Sequence, residues 1–407
     1  MLQKKLQTSG RISAVDLDAA ACISREADQI PDVVNFLYKF RHTDSAPEQL
    51  DSTGYAIIRL LLKYDETDLL FKILNDPINY GIFPNYHLGC LLMNQFLTKE
   101  NIPAAAKIAT LYMQQEMFEC TLLNFLSVYS LLKFIELPKE QRIFDDKIQP
   151  KPVEEEIDEE QENIKMFRYP FLKNFYNDQL FDLVEEDQLC GKSLEWFSFH
   201  LDNSPFKDDI RLLGLIFRPK LSETIDLLNS GILKQINSKT LELCRIRVGE
   251  LLGQIPEEKR QEDPDYSILE KINELLGEPQ SIDSNIALSD EFWSSFKSNL
   301  NKAEEALMEA QKQEFQEWNR LRTARIESQA ERFNLRLRLE EIEKKREELA
   351  EKKEILYFFD DRAELEDLAA YHEKLWEESK LVKQRDSMTE EERVAEMLKK
   401  GGKRERR

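Results

Sequence analysis

Glycine and proline are scarce in this chain of 407 residues, at 12 and 14. So few backbone breakers exclude a turn-rich all-β fold and favour long helices. The five cysteines, Cys22, Cys90, Cys120, Cys190 and Cys244, form no C-x-x-C pair. They lie in or beside apolar helical stretches, as reduced core thiols do, so neither a disulfide framework nor a paired-cysteine metal site is expected. The four histidines, His42, His87, His200 and His372, are far apart, and none stands four residues from another. That removes the usual helical metal pair. There is no G-x-x-x-x-G-K-[ST], no G-x-S-x-G and no dinucleotide fingerprint, so the common phosphate cradles and nucleophile elbows are missing. No apolar run approaches the roughly 20 residues that cross a bilayer. These absences point to a non-enzymatic protein with no cofactor, no metal, no small-molecule substrate and no membrane span.

Charge is plentiful and uneven: 57 Lys and Arg against 78 Asp and Glu give a net −21. A chain so acidic repels nucleic acid as a whole, so an RNA contact has to be local and rests on where the basic residues cluster. Residues 1–15 carry Lys4, Lys5 and Arg11 and no acid until Asp16, as the end of an organelle transit segment would.

Internal repetition is the strongest positive signal. Residues 55–64 form an apolar helix and residues 65–67 a polar break. Residues 68–74 form a second helix, closed by Gly81-Ile82-Phe83-Pro84-Asn85. Gly81 supplies a positive φ and Pro84 stops continuation. Residues 86–119 repeat the plan, with helices at 91–97 and 104–117 around Lys99-Glu100-Asn101. Laying Ile57-Ile58 over Leu92-Met93 gives a period of about 35 residues. A weaker upstream unit puts its break at Ala27-Asp28-Gln29 and its second helix at 31–40. A two-helix unit cannot bury both faces alone, and stacked neighbours complete the core as an α-solenoid.

The rest of the chain divides by composition. The expected domains are helical repeats over 1–136, an acidic linker or loop over 137–168, and further helical repeats over 169–276. A linker over 277–289 and a long helical arm with short helices and a basic tail over 290–407 complete the chain. Helices are expected at 174–184, 192–201, 208–217, 221–228, 240–252 and 267–276. From 290 to about 356 there is no proline or glycine, which predicts a helix of sixty-odd residues without a strict heptad. Residues 362–384 form another, and Thr389-x-x-Glu392 reads as a capping box for a last short one. The arm carries Arg320, Arg322, Arg325, Arg332, Arg336 and Arg338 against Glu327 and Glu331, with Phe315, Trp318 and Phe333 among or beside them. Guanidinium forks suit phosphates. The tail adds Lys399, Lys400, Lys403, Arg404, Arg406 and Arg407 on either side of Gly401-Gly402. These twelve residues are the candidate RNA-binding set, reading backbone and not base. A solvated helix face is the plain alternative.

The repeat length and the Gly81–Asn85 junction resemble pentatricopeptide repeats. Further segments narrow the likeness: Phe36-Leu37-Tyr38-Lys39-Phe40-Arg41-His42, Leu62-Lys63-Tyr64-Asp65, and Leu92-Met93 with Lys99-Glu100-Asn101, followed by Met113-Gln114-Gln115-Glu116. Over residues 34–119 the chain resembles the family of the twenty-seventh small-subunit protein of the mitochondrial ribosome. The resemblance implies a structural ribosomal protein in the mitochondrial matrix, docked on small-subunit ribosomal RNA and neighbouring ribosomal proteins. It also implies a transit presequence. In base-reading pentatricopeptide proteins a first-helix residue and a repeat-end residue select each base; here these positions hold Tyr55 and Cys90, with only Asn85 conventional, so sequence-specific reading of messenger RNA is not expected. Two rivals remain at this point. One is a free organellar RNA-processing or translation factor, which crosslinking dominated by messenger RNA would favour. The other is a helical-repeat scaffold for proteins, whose binding ribonuclease would leave intact.

Overall fold

The computed structural model describes residues 12–144, 183, 185–201, 204–229, 236–255, 264–277, 286–357 and 361–395. All regular structure among the described residues is helical. The helices are α1 (Ala14–Ile23), α2 (Ile30–Arg41), α3 (Asp51–Tyr64), α4 (Thr67–Leu74), α5 (Pro77–Tyr80), α6 (Tyr86–Thr98), α7 (Ile102–Gln114) and α8 (Thr121–Ile135). There follow α9 (Glu186–Phe199), α10 (Lys207–Phe217), α11 (Leu221–Asn229), α12 (Ser238–Gln254), α13 (Pro264–Leu276) and α14 (Leu288–Phe296). The last two are α15 (Leu300–Leu356) and α16 (Arg362–Ser387). The acidic stretch at 145–162, the helix expected at 174–184 and the six basic tail residues lie wholly or almost wholly outside the described residues.

The repeat is visible in the backbone. Helices α3, α6 and α8 begin at Asp51, Tyr86 and Thr121, 35 residues apart each time. The turns between helices keep the same register: Asp65 and Glu100 both have φ 58°, and Gly81 and Glu116 have φ 61° and 53°. At each non-glycine position the left-handed conformation costs roughly 1–2 kcal/mol. Bonds that close the helix ends offset it, from Glu66 N–H to Leu61 O at 3.1 Å, Asn101 N–H to Phe96 O at 2.9 Å and Met117 N–H to Tyr112 O at 3.1 Å. Gly81 is required for a second reason: a Cβ there would lie 2.4 Å from Arg41 Nε.

Packing runs mainly between neighbours in sequence, α1 on α3, α3 on α6, α6 on α7 and α8, α7 on α8 and α9, α9 on α10, and α12 on α13. Leu92, Met93, Ala105, Ile108, Tyr112 and Leu131 are fully buried between these helices. Gly191 and Gly214 let α9 and α10 approach closely, since a Cβ on either would lie 2.6 Å from backbone nitrogen of the other helix or its end. Charges close the joints. Arg142 and Arg247 share Asp187 and Glu250, with Arg247 Nη1 2.6 Å from Asp187 and Arg142 Nη2 2.9 Å from Glu250. Both guanidinium groups lie near the Phe217 ring. Two cations and two anions leave this buried group neutral, which is the condition for tolerating charge at that depth.

The chain forms two compact units, Met1–Arg325 and Ile326–Arg407. The first therefore extends well past residue 290, where composition alone begins the arm. Helix α14 is part of it: Leu288 and Phe292 are buried, and Phe292 and Phe296 stack on Phe125 of α8. Glu136 fastens its start, accepting from Ser289 N–H at 2.9 Å and Ser289 Oγ at 2.6 Å. In the second unit every helical residue of α16 is exposed except half-buried Leu365, and Glu392 accepts from Thr389 N–H at 3.0 Å, one half of the expected capping box.

Leu92→Asp should abolish cooperative folding, because the site is 0% exposed and offers an unpaired carboxylate no partner. Leu92→Ala should cost about 2–5 kcal/mol. Circular dichroism and soluble yield check both; a soluble, fully helical Leu92→Asp chain would contradict the packing.

Candidate nucleic-acid interface

Helix α15 is 57 residues long, and its two parts have different surroundings. From Leu300 to Arg322 one stripe is at least partly buried: Leu300, Ala303, Leu307, Gln311, Glu314, Trp318 and Arg322. The three- and four-residue steps put them on one side of the helix. Only the first three are aliphatic, and these pack on the core. Beyond them the contacts are polar or aromatic, and each meets a residue near the start of a repeat.

Asn85, the cap of α6, is fully used. Its Oδ1 accepts from Leu88 N–H at 3.1 Å, and its Nδ2 donates to Gln311 Oε1 at 2.7 Å and Glu314 Oε2 at 2.5 Å. Its carbonyl accepts from Tyr112 Oη at 2.7 Å. Tyr55 on α3 is boxed in by Phe315 and Trp318, each ring centroid 5.3 Å away. Its hydroxyl lies 3.3 Å from His87 Nδ1. Burial, reinforced by Arg59, holds the His87 pKa below the usual histidine range, so the neutral ring can accept that bond near pH 7. Of the three positions tied to base selection by the repeat resemblance, Tyr55 and Asn85 therefore face the chain's own helix, and Cys90 is buried in the core.

Arg322 meets the strongest partner. Its Nε lies 2.6 Å from Asp18 Oδ2, and the other oxygen of Asp18 accepts from Ser52 Oγ at 2.5 Å and Thr53 Oγ1 at 3.0 Å. Asp18 is 0% exposed, so its charge is sustained by these three donors. The ion pair raises the Arg322 pKa against the opposing effect of burial. Arg325 Nη1 stands 3.8 Å from Glu48 Oε1, a looser and exposed pair. Arg320 is bound at its own helix surface by Glu317, at 2.7 Å.

The other three arginines of the candidate set differ. Arg332, Arg336 and Arg338 are exposed, and none has an ion-pair partner among the described residues. Phe333 beside them is 58% exposed. The structure thus separates the six arginines. Arg322 is engaged inside the first unit, Arg320 and Arg325 have surface partners, and Arg332, Arg336 and Arg338 face solvent. Lys399, Lys400, Lys403, Arg404, Arg406 and Arg407 fall outside the described residues. Asp18, Ser52 and Thr53 escaped sequence reading. A lone Asp in an Ala-rich helix carries no motif, and its partner lies 304 residues away.

Among the described residues no group of three or more His, Cys, Asp or Glu is arranged to hold a metal ion, and no helix is long and apolar enough to cross a membrane.

Asp18→Ala should destabilise the first unit by about 1.5–3 kcal/mol, as hydrogen bonds to a charged group do. It should also speed amide hydrogen exchange in residues 315–325. Arg322→Ala should do the same, and the double variant should lose clearly less than the sum. Unchanged protection over 315–325 would show that this ion pair does not hold the helix.

The separation of the arginines has a family context. Residues 1–348 match the model of the family described as mitochondrial 28S ribosomal protein S27, a span that includes the first unit and the six candidate arginines of α15. The chain belongs to this family of mitochondrial ribosomal small-subunit proteins, which places it in the mitochondrial matrix.

Proposed function

We propose that this small-subunit protein is a non-catalytic helical-repeat scaffold that contacts the backbone of small-subunit ribosomal RNA and neighbouring ribosomal proteins. Arg332, Arg336 and Arg338 are the principal phosphate contacts, with Arg320, Arg325 and the tail residues Lys399, Lys400, Lys403, Arg404, Arg406 and Arg407 as further ones. The observation that carries this reading is the solvent-facing set of three arginines within seven residues, without carboxylate partners among the described residues, on a chain of net charge −21. Arg332 and Arg336 are one helical turn apart and share a face. A guanidinium held on a rigid helix can bind phosphate with little loss of side-chain freedom.

Backbone contact fits better than base reading. Base selection needs open polar side chains, and Asn85 has its amide committed to Gln311 and Glu314 while Tyr55 is packed under Phe315 and Trp318. Arg322 belongs to the scaffold and not to the RNA surface, because removing it from Asp18 would strand a buried carboxylate.

Replacing Arg332, Arg336 and Arg338 with Gln should leave helicity unchanged. It should weaken binding to small-subunit ribosomal RNA and lower the slope of log affinity against log salt by about 2–3. The full chain should sediment with the small subunit in mitochondrial lysate and move to lighter fractions after ribonuclease. A chain found wholly free of ribosomes would overturn the reading, and a triple variant with unaltered salt slope would show those arginines to be merely solvated.

A further inference from the structure

Besides the neutral group around Asp187 and Glu250, the first unit holds another ionic cluster, and this one is not balanced. Glu195 of α9 is buried and takes three cations. Arg218 Nη1 lies 3.1 Å from its Oε2, Lys192 Nζ 3.4 Å from the same oxygen, and Lys220 Nζ 3.3 Å from Oε1. Lys220 also meets the exposed Glu223 at 2.7 Å. Three cations thus stand against two carboxylates, where Arg142 and Arg247 alone stand against Asp187 and Glu250.

We propose that Arg218 and Lys220 form a further binding site for RNA backbone phosphate, positioned by Glu195 and backed by Lys192. The site belongs to the first unit, whereas Arg332, Arg336 and Arg338 belong to the second. It rests on the reading of the chain as an RNA-contacting ribosomal protein. Two parts of the fold build it. Lys192 and Glu195 are on α9, and Arg218 and Lys220 are in the turn between α10 and α11. Gly191 lets that turn close on α9, since a Cβ there would lie 2.6 Å from Arg218 N. Nitrogens gathered on one carboxylate are near enough to one another to share a phosphate as they share Glu195.

Glu195 needs only one of these cations. Lys192 is buried with it and balances its charge. The side chains of Arg218 and Lys220 are 24% and 28% exposed, so the surplus charge sits where an anion can reach it. The crowding of cations shows in their protonation. Burial, together with Arg218 and Lys220 and against the pull of Glu195, lowers the Lys192 pKa. Burial works to raise the Glu195 pKa, and the three cations overcome it and bring it down. An anion bound at Arg218 and Lys220 relieves the repulsion among the three. Among the described residues Arg218 spends only Nη1 on Glu195, which leaves the rest of its fork for phosphate oxygens. The partly exposed Trp196 ring lies 4.3 Å from Lys192 Nζ. An aromatic ring beside the charges suits a nucleotide, which brings a base with its phosphate, better than it suits an acidic peptide.

The test is the salt dependence of binding between the full-length chain and small-subunit ribosomal RNA. The double variant Arg218→Gln with Lys220→Gln should keep its helicity and melting temperature, because Lys192 still balances Glu195. It should lower the slope of log affinity against log salt by about 1–2. The same loss should appear in a chain that already carries Arg332→Gln, Arg336→Gln and Arg338→Gln. Bound RNA should also slow acetylation of Lys220 by acetic anhydride severalfold, read by peptide mass spectrometry. That arm uses the wild-type chain, so it decides the matter even where the double variant unfolds. A folded double variant with the wild-type slope, or an acetylation rate that RNA leaves unchanged, overturns this site and leaves the arginines of α15 in place. A chain that binds no small-subunit RNA overturns both. Protection of Lys220 in the assembled subunit that outlasts ribonuclease assigns the cluster to an acidic protein neighbour and overturns the phosphate site.

Discussion

The starts of α1, α3, α6 and α8 have to be covered, and the cover is α14 with the first part of α15. The 35-residue register repeats the same kind of surface at each unit: a helix start with unpaired amides, and a side chain about one turn later. In one unit these are Asn85 with Cys90, in the next Cys120 with Phe125, and in the preceding one Tyr55 stands at the second place. α14 and α15 run back along this row. Phe292 and Phe296 meet Phe125, Gln311 and Glu314 meet Asn85, Phe315 and Trp318 meet Tyr55, and Arg322 meets Asp18. Each contact matches the chemistry of the repeat below it, ring on ring, amide on carboxylate and guanidinium on carboxylate. That row of matched contacts fixes the register of the helix more tightly than apolar burial could, since sliding by one turn would leave Asp18 buried without its cation.

The same row divides the arginine cluster. Side chains at 322 and 325 are within reach of carboxylates on the repeats, and those at 332, 336 and 338 have none among the described residues. A run that looks uniform in sequence therefore holds two kinds of arginine, one internal to the fold and one available to an outside anion. The aromatics divide likewise. Phe315 and Trp318 are spent on Tyr55, and Phe333 is left exposed.

Much of this was legible in the residues. The period, the breaks at Asp65 and Lys99 and the turn at Gly81 follow from ordinary helix signals. What was hidden has physical causes. α8 is apolar on nearly every side, from Leu122 to Ile135, so it shows no amphipathic period and gives no sign in the residues of the third repeat start, at Thr121. Asp65, Glu100 and Glu116 take left-handed backbone where glycine would have announced it. α14 is only nine residues long and follows a polar stretch, so composition merged it with linker and arm. The buried stripe of α15 turns polar after Leu307, and a pattern sought in apolar residues stops there while the contact continues for four more turns.

The acidity of the chain does not cancel the exposed arginines. At physiological ionic strength charges are screened beyond about 8 Å, roughly five residues of helix at about 1.5 Å each. Most of the excess of acid over base is therefore remote from Arg336, and only nearby charges count. Those neighbours are Glu331 before it and Glu340 and Glu341 after it. The basic window between them spans residues 332–338, about 9 Å of helix axis. Such a window suits one or two phosphates and is too short to follow a strand. Proposed contact there is accordingly a point of attachment, and the acids on both sides penalise any register that shifts a phosphate along the helix. Placement on a particular RNA segment then has to come from the surfaces that surround this point in the assembled subunit, because one or two phosphates carry no sequence information.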